Sequence, residues 1–219
     1  MIARNLISED IIPLTPTDTG DDALALMNDY HTRHLPILDG KRLLGIVSEE
    51  EILDSDLSDT VDKHISGIHH PYVNEGDHIY EIMRVLYETK LTIVPVIDEK
   101  QEYIGAVSLS DLLKYFAQST SLSEQGSVVV LSITKRDFAL SQIARIVEGE
   151  NALILNYFIT SSPDTTELEI TLKINKLEIS RILAAFHRFG YVIQASFSES
   201  DYMNQLQENY ESFMHFINV

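Results

Sequence analysis

Residues 14–113 carry the same plan twice. Displacing the chain by 59 sets Asp18 on Asp77, Leu24 on Met83, Met27 on Leu86, Pro36 on Pro95 and Asp39 on Asp98. One added loop residue makes the displacement 60, and Gly45 then meets Gly105, Val47 meets Val107, Ser48 meets Ser108 and Leu53 meets Leu113. A repeat of this length is one supersecondary unit, too small to bury a robust core alone, so the two copies must pack on each other.

Hydrophobic spacing fills in each copy. Ala23, Met27 and Tyr30, and in the second copy Ile79, Ile82, Met83 and Leu86, recur at helical intervals. Short apolar strands follow at Leu35–Leu38 and Val94–Ile97, then second strands at Leu43–Val47 and Tyr103–Val107 that run straight into second helices. The order helix–strand–strand–helix leaves no room for long crossovers and predicts an α+β unit of about 60 residues.

Charge narrows the function classes. The 219 residues hold 34 Asp+Glu against 16 Lys+Arg, a net charge of −18. Nucleic-acid binding needs a basic footprint, and anionic membrane surfaces repel such a chain, so neither partner is expected. With no cysteine, disulfides, thiolate metal sites and cysteine nucleophiles are excluded. The first residues lack the apolar run of a signal peptide, and no apolar stretch approaches the roughly 20 residues of a membrane span. A cytoplasmic location is expected.

Gly45-Ile46-Val47-Ser48-x-x-Glu51 and Gly105-Ala106-Val107-Ser108-x-x-Asp111 resemble the signature that closes a CBS domain, and Leu35-Pro36-Ile37 and Val94-Pro95-Val96 resemble that family's central strand. Two copies in register make a tandem CBS pair, often called a Bateman module. The implied boundaries are 1–56 for the first CBS domain and 57–117 for the second.

A polar, aperiodic linker at 118–126 leads into a second region. Strands at Ser127–Thr134, Ala152–Thr160, Glu167–Ile174 and Tyr191–Phe197 alternate with two helices, the first carrying Ile143, Ala144, Ile146 and Val147 with Gly149 as its C-cap. The second is predicted to open on a capping box, Asn175-x-x-Glu178. The order βαββαβ is the ferredoxin-like plan. Attached to a CBS pair, residues 127–198 resemble an ACT domain, and the whole resembles the acetoin-utilisation type of CBS–ACT regulatory protein. Residues 199–219 place Tyr202, Leu206, Tyr210, Phe213 and Ile217 at helical spacing, an amphipathic terminal helix expected to dock on its own sheet or on a partner subunit.

Ser48/Glu51 and Ser108/Asp111 read first as helix starts, a hydroxyl capping a backbone N–H and an acid at the positive helix end. The same geometry can hold a phosphate on the free N–H groups, with the carboxylate taking a ribose diol. CBS pairs use these positions for adenine nucleotides, of the AMP, ADP, ATP or S-adenosylmethionine class. The resemblance therefore implies a site built from Ser108, Asp111, Val73, Ile93, Val94 and Pro95, with Ser48, Glu51, Leu14, His34 and Leu35 in the other copy. Asp111 matches the family pattern whereas Glu51 is a methylene longer, which favours the Ser108 site. Arg33, Lys41, Arg42, Lys90 and Lys100 are the cations available for phosphate, too few for a highly charged ligand.

Ligand-binding ACT domains carry Asp-Arg-Pro-Gly where this chain has Lys135-Arg136-Asp137-Phe138. Phenylalanine replaces the glycine that admits a ligand to the backbone, and Asp137 reads as a plain N-cap, so assembly or partner contact is expected there rather than amino-acid binding. His31-x-x-His34 and His69-His70 do not match a metal-ligand arrangement, and no catalytic motif is present, so neither a metal site nor an enzyme is expected. The expected protein is a homodimeric regulator that senses an adenine nucleotide, without a resident cofactor and acting on an unidentified protein target. The alternative is a non-liganded scaffold with degenerate clefts.

Overall fold

Strand pairing builds each repeat as the displacement of 59 requires. The computed structural model describes residues 1–8, 10–65, 70–119, 121, 124–161 and 166–198. It divides into two compact units, Met1–Phe116 and Ala117–Val219.

In the first unit, helix α1 (Gly20–Asp29) is followed by antiparallel β1 (His34–Asp39) and β2 (Arg42–Ser48) and by the short helix α2 (Glu49–Leu53). The second copy has β3 (Val73–Asn74), α3 (Ile79–Thr89), antiparallel β4 (Ile93–Ile97) and β5 (Tyr103–Ser108), and α4 (Leu109–Ser119). Val73 pairs in parallel with Val96, and Leu14 forms a single parallel bridge to Ile37, the same contact 59 residues earlier. His31 and Lys90, also 59 apart, both take left-handed backbone just after their helices, at φ 51° and 59°.

The N-terminal segments of the two copies are exchanged. Ala3 and Leu6, on a 3-10 turn, lie in the second repeat's core with Val73, Ile82 and Val94. Val61, on the equivalent turn Val61–His64, lies in the first repeat's core with Leu14, Ala23 and Ile37. Backbone bonds hold this exchange, Ala3 N–H donating to Asp77 O at 2.8 Å and Val61 N–H to Asp18 O at 2.9 Å. Sequence order and spatial membership therefore differ at the start of each copy.

The second unit contains β6 (Ser127–Thr134), α5 (Leu140–Gly149), β7 (Ile154–Thr160), β8 (Glu167–Ile174), α6 (Ser180–Arg188) and β9 (Val192–Phe197). The sheet order β7-β8-β6-β9, antiparallel throughout, is the ferredoxin-like arrangement. Val129, Leu131, Ile170, Leu172 and Ile174 project to one face and meet Ile143, Ile146, Ile182 and Phe186 of the helices in a single core. The chain is thus α+β: two copies of one repeat, then a βαββαβ unit.

Three local expectations are corrected. Gly149 is the last helical residue, not a left-handed cap, and Asn151 takes the positive φ of 54° instead. The Asn175–Glu178 box does not form, because the Asn175 side chain accepts from Leu153 N–H at 2.7 Å, tying the end of β8 to the start of β7. Glu178 caps Ser180 N–H. Met83, placed on the buried face of α3, is exposed, and Val85 is buried in that helix instead. The expected terminal helix at 199–219 lies outside the described residues, as does part of the linker.

Candidate nucleotide site

Each repeat sends its second strand directly into a helix, which brings a serine and a carboxylate to the strand end. Ser108 ends β5 and precedes α4; its N–H donates to Asp111 Oδ2 at 3.0 Å and its hydroxyl to the same oxygen at 2.5 Å, while Asp111 N–H donates back to Ser108 Oγ at 3.1 Å. Ser48 and Glu51 form the same reciprocal box at the start of α2, at 2.8, 2.9 and 3.2 Å. The extra methylene of Glu51 therefore leaves its carboxylate in the box. What does separate the copies is helix length. α4 has 11 residues and α2 five, so the positive end presented at Ser108 is backed by about three turns rather than one.

The other residues named from sequence surround these two strand ends. Ile93 pairs with Ser108 and Val94 with Val107, while His34 pairs with Ser48 and Leu35 with Val47. Leu14, Leu35, Val73, Ile93 and Val94 are completely buried, and Pro95 is buried too, so these positions offer a ligand their backbone edges rather than their side chains. Leu14 already spends its N–H on Pro36 O at 2.8 Å.

Between the repeats lies a polar cluster that the sequence reading did not single out. Thr92, one residue before β4, meets Thr32 Oγ1 at 2.7 Å, and its hydroxyl accepts from Arg33 N–H at 3.0 Å. Thr92 N–H donates to His34 Nδ1 at 3.2 Å, and its hydroxyl lies 3.0 Å from the same nitrogen. An Nδ1 that accepts carries no proton, so His34 is the neutral Nε2–H tautomer. Burial holds its pKa below the usual histidine value, the Arg33 charge adds to this, and Glu51 and Glu49 oppose it. The available signal was a pair of threonines placed just before the two central strands. Two further links join the copies, Tyr103 N–H to Lys41 O at 2.8 Å and the Lys41–Glu102 ion pair at 2.8 Å.

Of the expected phosphate cations, Arg33 is held by Glu49 at 2.9 Å and Lys41 by Glu102. A cavity of about 350 Å³ in the first unit is lined by Arg42, Leu43, Leu44, His70, Tyr72, Ile97 and Gln101. It lies at the opposite strand ends and, of the residues named from sequence for the nucleotide, includes only the cation Arg42. Among the described residues no group of three acids or histidines is placed to hold a metal, and no helix is long and apolar enough to cross a membrane. His69 lies outside the described residues.

At the first turn of the second unit, Asp137 does not cap α5. Its N–H donates to Thr134 Oγ1 at 3.2 Å and its carboxylate accepts from the same hydroxyl at 2.6 Å, closing a turn three residues ahead of the helix. α5 begins after Ala139 without a side-chain cap. Phe138 packs against the core, so the residue that stands where a ligand-admitting glycine would be anchors the turn.

The CBS domain pattern matches residues 3–58 and 65–118. An inosine-5'-monophosphate dehydrogenase of Methanocaldococcus jannaschii is 24% identical over 113 residues, 51% of this chain and 23% of that enzyme. The chain spans between 23% and 47% of the length of the first curated relatives it matches. Among solved structures, a CBS domain pair/ACT domain protein of Thermotoga maritima is 28% identical at a TM-score of 0.48, covering 54% of this chain and 98% of that one. CBSX2, solved in complex with AMP, is 21% identical at a TM-score of 0.47, covering 53% and 96%.

Proposed function

The chain belongs to the CBS domain family, and from that premise we propose that it is a regulatory, ligand-sensing protein whose paired repeats bind an adenine nucleotide. The observation that carries this reading is the repeated strand end, where a serine and a carboxylate head a helix in both copies. The preferred opening is the one at Ser108 and Asp111, backed by the longer helix. Phosphate would sit on the α4 N–H groups and the Ser108 hydroxyl, and the ribose diol on Asp111. Re-aiming these side chains costs the capping box, about 1 kcal/mol. A ligand bound at millimolar affinity contributes about 4 kcal/mol, so the box does not bar binding. Ligand held between two repeats biases their packing, which is what a switch requires. The βαββαβ unit then serves assembly or signal relay in a cytoplasmic homodimer that controls a protein target and catalyses nothing itself.

A second reading, a scaffold without ligand, is favoured by the closed boxes and by Arg33 and Lys41 being paired with acids. Thermal shift separates the two. AMP, ADP, ATP and S-adenosylmethionine are titrated into the full chain to several millimolar. At a few times a millimolar Kd the ligand stabilises the folded state by about 1 kcal/mol, a rise of a few degrees. Asp111→Ala should abolish the rise and Glu51→Ala should weaken it less. If none of the four moves the melting temperature, the sensing function is wrong and the scaffold stands.

A further inference from the structure

Two hollows of the second unit meet beside its helices. α5 and α6 enclose a groove of about 570 Å³, with Ile146, Ala185 and Phe189 in its lining beside Gln142, Arg145 and Arg188. At Glu150 it meets a hollow of about 480 Å³ that includes Lys176, Glu178 and Arg181. Four bases therefore stand against two acids along the pair, in a chain with 34 acids and 16 bases. Two other hollows of this unit, of about 380 and 340 Å³, have acids and no base in their linings.

Neighbouring acids do not consume the groove's cations. Arg145, Arg181 and Arg188 make no ion pair among the described residues, and all three are exposed. The Glu178 carboxylate is held by Ser180 N–H, and Lys176 Nζ donates to the backbone oxygen of Glu150. Arg188 lies over the ring of its neighbour Phe189, 5.9 Å from the centroid, and that ring is 54% exposed. Cation and apolar face are thus presented side by side. Ile146 and Ala185 are buried, which makes the floor apolar, and at Gly149 even an added Cβ would meet nothing within 4 Å.

We propose that this groove binds a small amphipathic anion, a flat apolar body carrying one carboxylate or phosphate head. Its volume of about 570 Å³ falls within the range of small-molecule sites. The body lies on Phe189 and the apolar floor, and the head takes N–H donors from Arg145 and Arg188, whose planar forks suit either oxyanion. A bare anion would forfeit the floor, and a neutral body would forfeit the arginines. None of residues 134–138, the turn where a ligand-binding ACT domain would hold an amino acid, lines the groove. Binding here needs neither Ser108 nor Asp111, so it stands or falls apart from nucleotide sensing and gives the chain a second input.

With no cysteine in the chain, one introduced thiol reports on the groove. Gln142→Cys places it in the lining, and His187→Cys places it at an exposed α6 position outside that lining. N-ethylmaleimide, a neutral reagent, is reacted with each full-length variant in the presence of naphthoate or naphthyl phosphate. Either anion at saturation should slow the reaction at position 142 about fivefold or more, because a bound ligand covers the lining, and leave position 187 unchanged. Half-protection should fall near about 1 mM, the affinity that ordinary ligand efficiency gives a probe of this size. The anion that protects at the lower concentration identifies the head. Naphthamide, with the same body and no charge, should need about tenfold more, and AMP, whose base is polar, should not protect. Arg145→Gln with Arg188→Gln, checked for an intact fold by circular dichroism, should raise half-protection about tenfold, and Arg145→Lys with Arg188→Lys should recover part of it. No protection by either anion at about 10 mM, equal protection by naphthamide or AMP, or indifference to the arginine substitutions would each overturn the proposal.

Discussion

Adding one methyl group at Gly105 tests the exchange of N-terminal segments that joins the two repeats. Gly105 has φ +149°, a region that side-chain-bearing residues rarely adopt, and a Cβ built there would lie 2.3 Å from Ile7 Cγ2. Ile7 cannot easily give way. It is partly buried against the second repeat's core, the next residue donates its N–H to Ala106 O at 2.9 Å, and a β-branched side chain has few rotamers to retreat into. Overpacking of this kind costs about 1–3 kcal/mol, and the backbone conformation adds about 1–3 kcal/mol. Gly105→Ala should therefore lose about 2–6 kcal/mol, a large part of a domain's stability. Gly45, its counterpart in the first repeat, has no such backbone angle, and its Cβ would meet the tip of the His70 ring at 2.9 Å. A ring tip can turn aside, so Gly45→Ala should cost only about 1 kcal/mol. Urea denaturation, reading midpoint and slope together, measures both. A cycle with Ile7→Ala isolates the steric part, which should appear as a coupling of about 1 kcal/mol or more. Equal costs at the two glycines, or an additive cycle, would refute the close approach of the first residues to β5.

Two further outcomes follow from single side chains. With the folded-state pKa of His34 lowered by burial, the unfolded chain takes up the proton first as pH falls. Stability should accordingly drop between about pH 7 and the lowered folded value and then level off, and His34→Gln should flatten that part of the profile; parallel profiles for the two proteins would contradict the neutral, Thr92-bonded imidazole. Tyr103 has a buried hydroxyl without a partner among the described residues, and burial pushes its pKa up. Tyr103→Phe removes an unsatisfied group and should leave stability unchanged or raise it by about 1 kcal/mol in thermal melts, whereas a loss of that size would reveal a hydrogen bond that matters.

Periodicity made most of the architecture legible. The strands at Ser127–Thr134 and Glu167–Ile174 have the predicted limits, since strict alternation can be satisfied only by a sheet with one buried face. Local capping was harder to read, because a polar side chain near a helix start has several partners within reach. Asn175 satisfies Leu153 across the sheet rather than its own helix, and Asp137 closes a turn on Thr134. In α3, Met83 and Val85 exchanged places because several apolar residues border the same face, and packing against β4 chose among them.

The candidate site divides in the same way. Its serines and carboxylates were evident from spacing, for Ser-x-x-Glu and Ser-x-x-Asp after an apolar strand leave few other conformations. That both boxes close alike despite the methylene in Glu51, and that α4 outlasts α2, depends on packing beyond the motif. The cluster of Thr92, Thr32 and His34 joins residues 58 to 60 apart in the chain. By itself the sequence determined two repeats, a βαββαβ unit and the residues at each strand end, because periodicity and local hydrogen bonding act within a few residues. Only the tertiary structure decided which segment fills which core and which protonation state His34 holds, because those outcomes depend on contacts between residues distant in sequence.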